Sequence, residues 1–247
     1  MKFTLEAYQE LLKTIRSSGY KITNYNNFGK FTKEIIIRHD VDFILEKAFE
    51  MAELENREGI SSTYFILISS PFYNIHEKKS NEILKKITSL GHQIGVHFDQ
   101  TVYENNDISM IIKNALYEID VLSMALDCKI NTISFHRPSK FILDADIEFG
   151  SNIVNTYSQK FFKEITYISD SRMNWKIDPI RRIVESKDYK IQLLVHPIWY
   201  NEVEMSTKEI LSTFLDYKKS QIYSFIDSNF TNLFEFLTNE KDVKSND

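Results

Sequence analysis

The sequence predicts an α/β fold, a distorted barrel of about seven parallel strands with helices outside. Three observations predict it. Apolar, β-branched runs alternate with amphipathic stretches of helical period, the pattern of strand–helix–strand units feeding one mainly parallel sheet. Gly59 and Gly91 close two of the helical stretches just before the next strand, as helix-terminating glycines do. Several strands also run into titratable side chains at their C-terminal ends, the side of a parallel α/β sheet where active sites assemble.

The chain opens on a helix over residues 4–18, with Leu5, Tyr8, Leu11, Leu12 and Ile15 on one stripe and Gly19 as its stop. Glu34-Ile35-Ile36-Ile37-Arg38-His39-Asp40 follows a polar, Asn-rich loop and reads as a strand buried on both faces. Helices over 44–58, 81–90 and 108–126 then alternate with strands over 63–68, 93–98 and 130–135. Shorter strands are expected at 165–169 and 190–195, and an amphipathic helical stretch at 207–238 closes the fold. Residues 138–175 read as largely irregular, and the polar 239–247 as a disordered tail. No linker-like composition divides the chain, so one domain over 1–247 is expected.

Composition removes several function classes. The 247 residues are 43% hydrophobic, enough for one large core. The net charge of -5 comes from interspersed acids and bases; no basic stripe suits a phosphate backbone, so nucleic acid is not an expected partner. Cys128 is the single cysteine, which excludes an intrachain disulfide and a multi-thiolate metal site. The first 20 residues lack the pattern of an export signal, and no apolar run reaches the ~20 residues of a membrane span. A cytoplasmic location is expected.

The strand ends carry the chemistry. They are Arg38-His39-Asp40-Val41-Asp42, His97-Phe98-Asp99, His136-Arg137-Pro138, Ser169-Asp170-Ser171 and Leu194-Val195-His196-Pro197. Any one of these acids and serines could be an ordinary helix cap. Four of the six histidines falling at strand ends is the stronger signal, while His76 in a polar loop and His92 ahead of its strand are set aside.

The ordered series RHDVD, GHQIGVHFD, SFHRPS, SDSRMNW and LLVHPIWY resembles the polysaccharide deacetylase (NodB-homology) superfamily, most of all its divergent HDVD branch associated with surface-polysaccharide biosynthesis. The likeness runs from about Ile35 to Tyr200. It implies a distorted (β/α) barrel and metal-assisted removal of an acyl group, usually acetyl, from an amino sugar or sugar ester. It implies Asp40 as the general base and Asp42 as the metal-binding carboxylate, roles that could be exchanged because Val41 separates two acids that are adjacent in the usual motif. His97 matches the first metal-binding histidine; the second should stand four residues later, where this chain has Thr101. His136 at the next strand end is the candidate replacement, completing a two-histidine, one-carboxylate set suited to Zn²⁺, with Fe, Co, Ni or Mn as other options. The resemblance further implies Arg137 beside Asp40, His196 as general acid and Asp170 as its partner. His39, Asp99, Trp175, Trp199 and Tyr200 are candidates for substrate contact, the aromatics being equally readable as core. The expected substrate is a small acylated molecule or a glycan precursor, such as a nucleotide- or lipid-linked sugar. A non-sugar amidohydrolase and an inactive, carbohydrate- or partner-binding barrel are the alternatives.

Overall fold

The computed structural model describes residues 1–103, 107–150, 152–185 and 187–237. The chain divides into two compact units, Met1–Glu204 and Met205–Asp247. The first carries one wholly parallel sheet: β1 (Lys21–Thr23), β2 (Glu34–Val41), β3 (Thr63–Ile66), β4 (Gln93–Phe98), β5 (Thr132–Phe135), β6 (Val154–Asn155), β7 (Thr166–Ser169) and β8 (Lys190–Val195). Seven strands follow the order β6-β5-β4-β3-β2-β8-β7. Both β1 and β3 use the same edge of β2, β1 along Glu34–Ile36 and β3 along Arg38–Val41. The sheet curls until its ends face each other: the ring of Tyr157, just after β6, lies 6.5 Å from that of Tyr167 on β7. This curled, parallel half-barrel is the architecture predicted above.

β2 is central, and all eight of its residues are buried. Its period of two sends Ile36, Arg38 and Asp40 into the barrel, where Ile36 packs with Tyr25, Phe65 and Phe161. Val41 goes to the other face, where side chains of α2 (Leu45–Arg57), α3 (Lys78–Ser89) and α4 (Ile108–Leu126) join those of β3 and β4 in the main core. The N-terminal helix α1 (Leu5–Ser17) buries the stripe read from the sequence, and Thr4 caps it by accepting the Ala7 N–H at 3.1 Å. Helices α5 (Lys140–Ala145) and α6 (Pro179–Glu185) complete the unit.

Three expectations need correction. β1 and β6 lie in segments read as loops, being too short for an alternating pattern to register. α3 begins at Lys78 rather than 81, because the Glu77 carboxylate accepts the N–H groups of Lys79 and Ser80. In the second unit α7 (Thr207–Asp227) starts at a Ser206–Glu209 capping box, but it ends eleven residues before the expected limit at 238. Ser228 and Asn229 close it, and a 3-10 turn follows at Leu233–Glu235. The expected tail at 239–247 lies outside the described residues.

Inside the barrel Gly95 of β4 has a positional reason. A Cβ there would stand 2.5 Å from both the Phe65 ring and the Thr132 hydroxyl. Its absence lets the Phe65 ring lie beneath the strand ends, where it carries the Arg38 guanidinium 5.2 Å from its centroid. Gly95→Ala is therefore expected to cost about 1–3 kcal/mol, the usual penalty of overpacking. Urea unfolding of the variant measures it, and an unchanged midpoint would show that Phe65 and Thr132 give way freely.

Candidate active site

β2 places Asp40 and Asp42 on one side of the strand and His39 and Val41 on the other. Asp42 then meets two imidazoles from adjacent strand ends. Its Oδ1 lies 3.2 Å from His97 Nε2 and 3.4 Å from His136 Nδ1, and those two nitrogens are 3.2 Å apart. Donors bound at 2.0–2.1 Å to a tetrahedral Zn²⁺ stand ~3.3 Å from one another, so the three atoms have the spacing of one face of such a site. Asp42 Oδ1 is also buried with no well-formed hydrogen bond among the described residues, its near polar neighbours being these two imidazole nitrogens, so a cation between them would supply the interaction this anion lacks. Among the described residues this is the one set of three acidic, histidine or cysteine side chains so close together. Two imidazoles and a carboxylate therefore fit a divalent transition ion with a position left for water.

The surrounding hydrogen bonds support that use. His97 Nδ1 is 2.9 Å from Ser134 Oγ; with its proton on Nδ1 and donated to that hydroxyl, Nε2 keeps its lone pair for the ion. Against the cost of burial, the imidazoles of His136 and His97 hold the Asp42 carboxyl well below the usual range, so it is an anion at neutral pH.

Asp40 is buried beside this triangle, its Oδ2 3.6 Å from His97 Nε2. The guanidinium that holds it belongs to Arg38, not Arg137. Arg38 donates from Nη2 to Oδ2 at 2.7 Å and from Nε to Oδ1 at 3.2 Å. It also donates to Thr156 Oγ1 and Ser134 Oγ, each at 2.8 Å, and to the Tyr157 hydroxyl at 3.4 Å. Burial pushes the Asp40 carboxyl up, but the Arg38 charge overrides it and the net displacement is downward. Arg137 follows the strand end in a left-handed conformation, φ 48°; its side chain is 73% exposed and reaches Asp99 at 3.3 Å. Asp99 itself is buried and accepts from the Thr101 N–H and hydroxyl at 2.9 and 2.7 Å. The residue standing where the resemblance expects a histidine is thus part of a turn cap.

His196, at the end of β8, sits against Asp170 from the end of β7, with Nδ1 and Oδ1 2.6 Å apart. The carboxylate also accepts the His196 backbone N–H. Burial lowers the imidazole's proton affinity, but the Asp170 charge and hydrogen bond, with Asp42 and Asp40 behind them, raise it to about 9. The site therefore pairs carboxylates that stay ionised with an imidazole that stays protonated.

Four expected substrate contacts are placed differently. His39 faces the helix layer, fully buried, with Nε2 2.8 Å from Glu55 of α2. Tyr200 is fully buried between Phe3 and Tyr8, and Trp199 is nearly so. Trp175 stacks on Phe3 with ring centroids 6.2 Å apart. The side chains of His39, Trp199 and Tyr200 are core, and a sugar cannot reach His39 or Tyr200, whereas Trp175 is only half-buried. Sequence reading missed Arg38 and Ser134, although each lies on a strand two residues before a named site residue, Asp40 on the same strand and His136 just past its end, hence on the same face.

Raising His196 from 6.5 to about 9 links its ion pair to stability, by roughly 3 kcal/mol at about 1.36 kcal/mol per pH unit. A pKa raised on folding stabilises fully below the unfolded value and fades as pH rises through the folded one. The metal-free protein is thus expected to lose this increment between pH 6.5 and 9, and His196→Gln to lack that loss. Urea unfolding across this window checks it; parallel curves for the two proteins would rule the linkage out.

No protein-family sequence model matches the chain, and no curated protein is detectably similar to it. Among solved structures, it is similar to a CE4-family pseudoenzyme from Bacillus anthracis at 16% identity and a TM-score of 0.45, over 78% of this chain and 62% of that one. A mutant of that pseudoenzyme with restored enzymatic activity gives 16% and 0.47, over 78% and 64%; this chain spans less than two thirds of either. The deacetylase PplD of Streptococcus pyogenes, solved with acetate, is similar at 11% and 0.45, over 85% and 86%. The peptidoglycan deacetylase PdaC of Bacillus subtilis gives 13% and 0.45, over 81% and 98%. No helix among the described residues is long and apolar enough to cross a membrane.

Proposed function

We propose that this chain is a metal-dependent hydrolase that removes an acyl group, acetyl or similar, from an N- or O-acylated sugar or sugar precursor of surface-glycan assembly. The observation that carries the reading is the triangle of Asp42, His97 and His136 donor atoms, with an ionised carboxylate on one side and a protonated imidazole nearby. Those three residues would hold the ion, Zn²⁺ foremost, which when bound supplies Lewis acidity and a water acidic enough to lose its proton near neutral pH.

The chain's own groups do the rest. Asp40, kept ionised by Arg38, accepts the proton of the attacking water. His196 donates its proton to the departing amine or alkoxide as the C–N or C–O bond breaks. Asp170 holds that imidazole by Nδ1, which leaves Nε2 to donate. Ser134 ties the two halves together, accepting from Arg38 and facing His97, so the base and one ligand share a support.

Acetate release from a panel of N-acetylated sugars and sugar nucleotides tests the reading. Release that stops with a chelator and returns with Zn²⁺ is the expected result. Turnover of a cyclic ureide with no sugar accepted would move the chain to the non-sugar amidohydrolases. Absence of both turnover and bound metal would leave the binding-protein alternative.

A further inference from the structure

A second feature lies next to this site. A cleft of about 670 Å³ runs along β7 and the SDSRMNW segment that follows it, lined by Ser169 and Ser171 on either side of Asp170. Its size falls within the ~300–1,000 Å³ of small-molecule sites. Its charge is unlike that of the chain, which carries -5 overall: Arg172, Lys176 and Arg182 line it, and no acid does. Arg182 is paired with Asp188 at 2.7 Å. Arg172 and Lys176 are exposed and form no ion pair among the described residues, so two cations face the cleft uncompensated. Arg172 also holds a left-handed backbone, φ 60°, a conformation that costs of order 1 kcal/mol and tends to persist where function requires it.

The cleft connects to the acid–base groups through two side chains. Asp170 lies between the two lining serines and holds His196. Tyr167 lines the cleft and touches Tyr157, whose hydroxyl is 3.4 Å from Arg38 Nη2. The cleft is thus linked to His196 through Asp170 and to Asp40 through Tyr167, Tyr157 and Arg38. A neutral glycan has no use for two unpaired cations, whereas a phosphate pairs with both.

We propose that this cleft is an anion subsite that takes the phosphate of a phosphorylated or diphosphate-linked acylated sugar, with Arg172 and Lys176 as its phosphate contacts. It rests on the hydrolase reading for the acyl end of the substrate, and on the cleft alone for the phosphate end.

Calorimetric titration of the full chain with inorganic pyrophosphate, after chelator treatment, reads the subsite without turnover. The double variant Arg172→Ala/Lys176→Ala, in which both changed residues are exposed, is expected to bind at least tenfold more weakly. Asp42→Ala is expected to bind within twofold of the unchanged protein. Equal binding by the double variant overturns the proposal; so does binding at least tenfold tighter in Asp42→Ala, because loss of that carboxylate strengthens only an anion held at the metal-free centre. Uridine diphosphate binding at least tenfold tighter than pyrophosphate identifies a nucleotide carrier, and equal binding a carrier that offers only its diphosphate. Pyrophosphate bound through Arg172 and Lys176, with no acetate released from any sugar, retires the hydrolase reading and keeps the subsite. Acetate release without such binding retires the subsite alone.

Discussion

Asp42→Ala is expected to strip the bound ion from the protein and to lower acyl release by at least about 100-fold. Removing a group that merely supports a metal ligand costs roughly 10–100-fold in affinity or activity, so loss of a ligand should exceed that range. The substitution also removes the buried Oδ1 and leaves two imidazole nitrogens 3.2 Å apart, too few donors to hold a labile ion against a chelator. His136→Ala is the sharper companion, because the resemblance expects the second histidine at the position of Thr101. Asp99→Ala serves as the control: Asp99 is buried in the same region but is occupied by Thr101 and Arg137, so metal content should stay near that of the unchanged protein. Elemental analysis of the three purified variants checks the set. Full stoichiometry in both Asp42→Ala and His136→Ala would remove this triangle as the metal centre.

How much of this was legible depends on how each residue announces its position. Asp42 and His136 directly follow buried strands and His97 lies next to the last residue of one, and that placement alone brings residues 42, 97 and 136 to one end of a barrel. Which arginine holds Asp40 was not found by motif order. Arg137 sits beyond the end of β5, where a left-handed turn directs its side chain to solvent. Arg38 lies within β2, two residues before Asp40, and the pleat alone would have paired them. Trp199 and Tyr200 were ambiguous because an aromatic side chain fills a core or walls a site equally well. Only packing against Phe3, Tyr8 and Phe43 decides between these. β6, with two residues, has no period to read.

Arg38→Met should produce a large loss of stability. The Arg38 and Asp40 side chains are 0% and 3% exposed, and Asp40 would be left as a buried carboxylate without its charge partner. Breaking such a pair from one side costs about 3–5 kcal/mol, on the order of 10 °C in melting temperature for a chain of this size. Asp40 can escape part of that cost by taking up a proton, so the variant's loss should shrink as pH is lowered, and acyl release at neutral pH should fall with the ionised fraction of Asp40. Replacing both partners, Arg38→Met/Asp40→Leu, should recover much of the stability, since an apolar pair of similar volume packs without a desolvation penalty. Thermal melts of the two single variants and the double variant give the coupling, and a single Arg38→Met as stable as the unchanged protein would mean that water already compensates Asp40. A double variant that melts normally yet releases no acyl group would separate the two roles of the pair. Arg38 would then be seen to hold a charge in the barrel that the fold does not need and the proton transfer does.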